Sequence, residues 1–117
     1  MEENHAQTQF DIAIVGGGPA GLSAAVNARA RGKSVVVYGN EEGPLLKTSS
    51  VTNYLGFPDV TGPALLETFR EHARASGAVL RTGRVLNAAT DGESWYLGVG
   101  SDVMEATALL LAAGAVR

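Results

Sequence analysis

The sequence predicts an α/β fold, with a mostly parallel sheet and a three-stranded antiparallel meander at one side. Three observations lead to this prediction. An apolar, β-branched run is followed by a glycine-rich turn and an alanine-rich segment. A second β-branched run comes directly after that segment. Beyond Arg84, short strand-like runs alternate with turn signals, which is typical of antiparallel strands.

Length and composition indicate one soluble domain. The chain has 117 residues, of which 45% are hydrophobic, and this is enough to bury a core. The formal net charge of −3 argues against nucleic-acid binding, which requires a basic surface. No cysteine is present, so the chain has neither a disulfide nor a thiolate metal site. Residues 1–9 are polar rather than a signal peptide, and no apolar run is long enough for a membrane span. We therefore expect a cytoplasmic protein that contacts no membrane.

The first half of the chain predicts a β-loop-α-β unit. Residues 10–15 (FDIAIV) predict a buried parallel strand, and residues 16–19 predict a tight turn. Residues 20–31 predict a helix because alanine dominates them, and Gly32 is expected to end it. Residues 34–38 (SVVVY) predict the second buried strand.

The middle of the chain contains the second predicted helix. Residues 45–59 have little periodicity and predict an irregular connection, with at most a short helical start. Residues 61–76 predict a helix with a buried leucine-rich stripe, capped by Thr61 or Gly62. Residues 78–81 predict a third short strand.

The last third of the chain predicts the meander. Turn signals, Asp-Gly and Gly-Ser-Asp, separate three short strand-like runs. These runs are residues 85–88, 95–99 and 103–107. Residues 108–113 (ALLLAA) form a further apolar run before Gly114.

The glycine-rich turn is the main functional signal. Gly16, Gly18 and Gly21 satisfy the pattern G-x-G-x-x-G, with Pro19 and Ala20 between the last two glycines. The pattern follows a predicted strand and opens a predicted helix, which is the context of a Rossmann-like dinucleotide site. The first glycine permits the sharp turn, the second lets a pyrophosphate approach, and the third lets the helix pack on the strand. The alternative is a tight turn that binds nothing.

The end of the second strand lacks the acidic residue that usually hydrogen-bonds the adenosine ribose. Tyr38, Gly39 and Asn40 occupy this tip, followed by Glu41 and Glu42. Asn40 is the ribose partner that we predict. Glu41 is the alternative if the loop shifts, although solvated loop acids are the simpler interpretation of both glutamates.

Longer stretches of the chain resemble a known family. The stretch IAIVGGGPAGLSAA resembles the FAD motif of flavoproteins with two dinucleotide domains. The stretch KTSSVTNYLGFP, followed by TGPALLETFREHARASGA, resembles the low-molecular-weight thioredoxin reductases. The run ALLLAAGA is similar to the strand that ends in an A-T-G-A turn in that family. The resemblance extends over nearly all of the chain from Phe10 onward.

The resemblance implies FAD as cofactor and adds residues to the predicted site. In the family, a threonine-containing segment lies along the flavin, and this implies roles for Lys47, Thr48 and Asn53. We predict no catalytic and no metal-binding residue in this chain, because its residues offer no nucleophile, base or disulfide, and neither His5 nor His72 has a set of partners for a metal. The full predicted cofactor-binding set is Gly16, Gly18, Pro19, Ala20, Gly21, Tyr38, Gly39, Asn40, Lys47, Thr48, Asn53, Val85, Ala113 and Gly114.

The chain departs from the family pattern at three places. The family usually has a glutamate where Tyr38 stands, and a Gly-Gly-Gln segment where this chain has residues 43–46 (GPLL). Ala113 replaces the threonine of the A-T-G turn. The Tyr-Gly-Asn tip at residues 38–40 resembles a divergent, clostridial-type branch, some of whose members lack the usual NADPH site and take electrons from ferredoxin.

The family also implies a domain organisation. Residues 1–9 would be a leader, and residues 10–117 the first segment of the FAD-binding domain. A second nucleotide domain, which binds NAD(P)H and carries a Cys-x-x-C pair, would follow. The intact protein, a homodimer in this family, would pass electrons from NADPH or ferredoxin through FAD to a disulfide and then to thioredoxin. We expect no activity from this chain alone. The alternatives are a fragment of an NAD(P)-binding dehydrogenase and a non-catalytic nucleotide-binding module.

Overall fold

The computed structural model describes residues 7–40 and 43–114. Two α-helices, one short 3-10 helix and six strands form the described part of the chain. In chain order they are β1 (Gln9–Val15), α1 (Pro19–Ala30), β2 (Val35–Gly39), the 3-10 helix (Pro44–Lys47), α2 (Gly62–Ser76), β3 (Val79–Thr82), β4 (Val85–Thr90), β5 (Trp95–Val99) and β6 (Asp102–Leu111).

All six strands belong to one mixed sheet, in the order β3-β2-β1-β6-β5-β4. β1 lies in the middle and pairs in parallel with both β2 and β6, while β3 pairs in parallel with β2. β4, β5 and β6 pair in antiparallel order, so they form the predicted meander. The predicted α/β fold is therefore confirmed, and the carboxyl ends of β1, β2 and β6 meet at one edge.

The central strands are apolar throughout because both faces of the sheet are covered. Side chains alternate between the faces along each strand. Val35 and Val37 pack on the face that carries α1 and α2, together with Ile14. Val36 packs on the opposite face, where Leu97 of β5 is fully buried. Burial on both faces holds β1 and β2 rigidly beneath the turn that joins them to α1.

Both predicted helices are present within one residue of their predicted bounds. α1 begins at Pro19, one residue before its predicted start, because proline suits the first turn of a helix. α2 begins after Thr61, whose hydroxyl accepts a hydrogen bond from the backbone N–H of Ala64 at 3.1 Å. This bond makes Thr61 the cap, which resolves the choice between Thr61 and Gly62.

The prediction for the end of the chain was wrong in one respect. Residues 103–107 and 108–113 are not two separate runs, because β6 continues without a break from Asp102 to Leu111. Its first half, residues 102–106, pairs with β5, and residues 105–111 pair with β1. Pairing with β1 continues to Leu111, so the strand needs no turn at Ala106, where its pairing with β5 ends. β4 also extends to Thr90, two residues beyond its predicted end.

The remaining connections agree with the sequence-based expectations. The segment predicted to be irregular contains the 3-10 helix and two isolated β-bridges, Val51 with Val60 and Tyr54 with Phe57. One bound differs from the prediction, because β1 begins at Gln9, the last residue of the predicted leader, where it pairs with Glu105 of β6. Residues 1–6 of that leader lie outside the described residues, as do Glu41 and Glu42.

A reciprocal pair of hydrogen bonds joins the starts of β1 and β2. The Ser34 backbone N–H donates to the Asp11 carboxylate, and the Asp11 N–H donates to the Ser34 hydroxyl, both at 2.8 Å. The bond from the Ser34 backbone N–H is the main reason that the pKa of Asp11 is lowered from its ordinary 3.8. A carboxylate with a lowered pKa in the folded state stabilises the fold above its unfolded pKa.

We therefore expect stability to fall as the pH drops below about 3.8, where Asp11 becomes protonated in the unfolded chain, and to go on falling until the folded carboxylate is protonated at lower pH. Asp11→Asn removes this group from the titration, so the variant should lose less stability than the wild type between neutral pH and about pH 3. Urea denaturation at the two pH values measures the difference. Asp102→Asn, at an exposed position, is the control. Equal acid-induced losses in wild type and Asp11→Asn would contradict the assignment.

Candidate functional site

The glycine-rich turn lies at the carboxyl end of β1, between β2 and β6. The Gly16 N–H donates to the Tyr38 carbonyl at 2.8 Å. On the other side, a Cβ atom added to Gly16 would lie 2.0 Å from the Ala112 carbonyl oxygen. Gly16 also has a φ of +127°, which favours glycine. No other residue fits at this position, as the pattern predicts.

Gly21 brings the first turn of α1 against the strand exit. A Cβ atom at Gly21 would lie 2.0 Å from the Gly16 carbonyl oxygen and 3.2 Å from a methyl group of Ile14. The predicted role of the third glycine, close packing of helix on strand, is therefore visible in the backbone. This packing aims the amino end of α1 at the space above β1.

Gly18 faces open space. A Cβ atom at Gly18 would meet no heavy atom within 4 Å. Gly18 is the N-cap of α1, and the first turn of this helix contains no acidic residue. Pro19 and Ala20, which follow, are exposed. The free backbone N–H groups and the positive end of the helix dipole therefore face an accessible region that favours an anion.

A second pair of glycines joins the turn to the end of β2. A Cβ atom at Gly39 would lie 2.9 Å from the Cα atom of Gly17, so the two backbones are in close contact. Gly39 belongs to the predicted site, but Gly17 does not. The sequence did contain a signal for Gly17. Any residue satisfies the pattern at this position, between its first two glycines, yet the chain has a third glycine there.

A shallow cleft of about 100 Å³ opens beside this contact. Gly17, Gly39 and Asn40 line one side of the cleft. Arg70 and Arg74 of α2 line it as well, and sequence analysis did not assign either arginine to the site. Their position on the charged face of a predicted helix was the only available signal.

Tyr38 borders the site through its backbone only. Its side chain is 3% exposed and belongs to the core on the face of the sheet opposite the helices. Its hydroxyl accepts a hydrogen bond from the Arg81 guanidinium at 3.2 Å. Asn40, the next residue but one, is exposed at the tip of β2 and has polar contacts there.

The predicted flavin-side residues belong to a separate segment that packs on the start of α2. Lys47 ends the 3-10 helix and is exposed, and Asn53 is exposed in the following loop. The Thr48 hydroxyl donates to the Pro44 carbonyl at 3.0 Å, and the Thr48 carbonyl accepts from the Gly62 N–H at 2.8 Å. These bonds hold the segment in place beside α2.

The last three predicted residues lie on two sides of the turn. The Ala113 backbone N–H lies beside Gly16, and Gly114 follows with a φ of +81°. Val85 begins β4, where it is half-buried and pairs with Val99. The connection just before Val85 reaches the tip of β2, because the Gly83 N–H donates to the Gly39 carbonyl at 3.1 Å. Backbone from β1, β2 and β6 thus surrounds the glycine turn, and the connection between β3 and β4 contacts the tip of β2 beside it.

The described residues contain neither a metal site nor a membrane-spanning helix. No group of three or more His, Cys, Asp or Glu side chains within residues 7–40 and 43–114 is arranged to hold a metal ion. In the same residues, no helix has the length and apolar character required to cross a membrane. The site is therefore one of backbone N–H groups, glycines and a polar cleft.

Comparison with known proteins identifies similar sequences. Residues 10–117 match the family described as pyridine nucleotide-disulphide oxidoreductase. The chain is 40% identical over 112 residues to a thioredoxin reductase of Mycolicibacterium smegmatis. The alignment covers 93% of this chain and 36% of that relative. The chain therefore spans little more than a third of the relative's length.

Solved structures with the same fold are also similar. A thioredoxin reductase from Gloeobacter violaceus superposes with a TM-score of 0.89 at 31% identity, covering 94% of this chain and 36% of that one. A ferredoxin-flavin thioredoxin reductase from Clostridium acetobutylicum superposes with a TM-score of 0.84 at 38% identity, covering 92% of this chain and 38% of that one. Both superpositions cover more than nine-tenths of this chain.

Proposed function

Because the chain belongs to the pyridine nucleotide-disulphide oxidoreductase family and resembles thioredoxin reductases, we propose that it binds FAD at the glycine turn. The observation that carries this proposal is the geometry at Gly18. Open space lies in front of this residue, at the uncapped amino end of α1. A dinucleotide pyrophosphate fits there, since it needs backbone N–H donors and close backbone approach.

In this proposal, each group of residues contacts a different part of the cofactor. Gly18, Pro19 and Ala20 bound the pyrophosphate, and Gly16 and Gly21 keep the turn and helix close to it. Gly39 and Asn40 border the adenosine ribose. Lys47, Thr48 and Asn53 lie on the side of the flavin. Val85, Ala113 and Gly114 border the nucleotide through their backbones. When bound, FAD supplies the redox chemistry, and this chain binds and orients it.

We propose further that the intact protein is a thioredoxin reductase-like enzyme. Its electrons would come from NADPH or ferredoxin, its substrate would be a thioredoxin-like disulfide, and it would be a cytoplasmic homodimer. The ferredoxin-flavin enzyme of Clostridium acetobutylicum, at 38% identity, and the thioredoxin reductase of Mycolicibacterium smegmatis, at 40%, are about equally similar to this chain, so both donors remain in the proposal. The tip of β2 lacks the usual acidic residue.

Equilibrium dialysis of the chain against FAD, FMN and NAD⁺ tests the proposal. FMN lacks the pyrophosphate-linked adenosine, so a site built around the glycine turn should bind FAD at least about tenfold more tightly than FMN. NAD⁺ serves to test the dehydrogenase alternative, because it shares the ADP half of FAD. Tighter binding of NAD⁺ than of FAD would favour that alternative. Equal binding of FAD and FMN would contradict a dinucleotide site.

A further inference from the structure

We propose that two copies of this chain associate through β4, whose free edge pairs in antiparallel order with β4 of a second copy. One sheet would then continue through both copies. The proposed function assigns a homodimer to the intact protein but no surface to it, and the pairing does not depend on FAD. Three features carry the proposal: the open edge of β4, its lack of protecting residues and the charges at its two ends.

β4 lies at one end of the sheet and, among the described residues, pairs only with β5. In an antiparallel ladder, alternate residues direct their backbone N–H and C=O groups to the paired strand, and the others direct them away from it. The Asp91 N–H donates to the Ser94 carbonyl at 3.3 Å, so Asp91 is bonded toward β5. By alternation along the same register, Ala88 and Thr90 direct their backbone groups to the free edge. A further strand can therefore add there through main-chain hydrogen bonds.

β4 lacks the residues that usually keep a sheet edge from pairing. Natural edge strands carry charged side chains, especially lysine, or proline. The sequence of β4 is VLNAAT, which contains neither. Five of its six residues are exposed, and Leu86 is 62% exposed. The register shifts once, between Val85 and Asn87, so the strand is regular from Asn87 onward. The regular half around Ala88 is thus open to a second strand.

The charges at the two ends of β4 favour a second copy as the partner. Arg84 directly precedes the strand, and Asp91 directly follows it. A two-fold axis at Ala88 places Val85 opposite Asp91 of the second copy, so Arg84 lies beside that carboxylate. The symmetry creates this contact twice. Parallel pairing would instead place Arg84 beside Arg84 of the second copy, and like charges in such positions are destabilising.

Both charged side chains can take part in this contact. Arg84 is exposed, and none of the described carboxylates forms an ion pair with it. The Asp91 carboxylate accepts from the Ser94 N–H at 2.9 Å, which is the main reason that the pKa of Asp91 is lowered from its ordinary 3.8. Its other donors, the Glu93 N–H and the Tyr96 hydroxyl, are neutral as well. The carboxylate therefore keeps its charge at neutral pH and is held in place by the turn.

Sedimentation equilibrium of the chain over a series of concentrations tests the proposal. We expect the apparent mass to rise with concentration from the 12.1 kDa of one chain toward twice that value. Ala88→Pro should abolish association, because proline removes an N–H that points to the free edge and leaves the bonds to β5 intact. Arg84→Glu should weaken association by about tenfold, since it makes two attractive contacts repulsive. Arg31→Glu, the same charge reversal at an exposed position at the end of α1, should leave association unchanged.

Three results would overturn the proposal: a mass of one chain at every concentration, a folded Ala88→Pro variant that associates as the wild type does, or a mass that grows past two chains. Equal effects of Arg84→Glu and Arg31→Glu would contradict the antiparallel arrangement. Should Ala88→Pro not fold by circular dichroism, Ala88→Lys places a charge at the same exposed edge position and should weaken association by about tenfold or more. Neither change at Ala88 should alter FAD binding, so this inference and the proposed function fail separately.

Discussion

Replacing Gly21 with valine is expected to cost about 3 kcal/mol of folding free energy or more, which is a large part of the stability of a typical domain. The Cβ atom alone would lie 2.0 Å from the Gly16 carbonyl oxygen, which is backbone held between β2 and β6. The Ile14 side chain, which is completely buried, blocks movement on the other side. α1 must therefore shift away from the strand. Chemical denaturation followed by circular dichroism measures the loss.

Gly18→Ala is the matched control for this prediction. It lies three residues earlier in the same pattern, has an ordinary φ of −84°, and has no heavy atom within 4 Å of its Cβ position. The free energy of unfolding should therefore change by no more than about 1 kcal/mol. If both variants lost the same stability, the packing role assigned to Gly21 would be contradicted.

Replacing Gly18 with leucine is expected to weaken FAD binding by about tenfold or more while the fold is retained. The leucine side chain would occupy the open space in which we propose the pyrophosphate, and would keep it from the N–H groups of α1. Loss of a favourable cap residue costs only about 1 kcal/mol, so most molecules remain folded. Equilibrium dialysis against FAD gives the affinity, and denaturation of the same sample gives the stability.

A series at Gly18 sharpens this test. Affinity for FAD should fall from glycine to alanine to leucine, because each side chain fills more of the space in front of α1. Stability should change little along the series. Unchanged FAD affinity in a folded Gly18→Leu variant would exclude pyrophosphate binding at this turn.

Local chemistry made the glycine turn and the central strands predictable from sequence. Gly21 packs against Gly16 and Ile14, which are only a few residues away, and the fixed glycine pattern encodes this contact. The same pattern encodes Gly16 through the sharp turn it requires, although Gly16 also lies against the distant Ala112. The β-branched runs predicted β1 and β2 because both faces of these strands are buried. Thr61 was predictable as a cap because capping is also a local interaction.

Features that depend on distant parts of the chain were not predictable in the same way. β6 is continuous because it pairs with β1, almost a hundred residues earlier, and no local signal encodes that pairing. Arg70 and Arg74 reach the cleft only because α2 packs against the sheet edge that carries Gly39. The bond between the Tyr38 hydroxyl and Arg81 on the neighbouring strand is likewise a long-range contact that no local signal encodes.

The most direct test of FAD binding at the glycine turn is a visible absorption titration of FAD with the folded chain at equilibrium. We predict a shift of the flavin bands that saturates at one FAD per chain, and that is much weaker with Gly18→Leu at the same concentrations. A flavin spectrum that stays unchanged across the titration, with the chain folded by circular dichroism, would contradict the account.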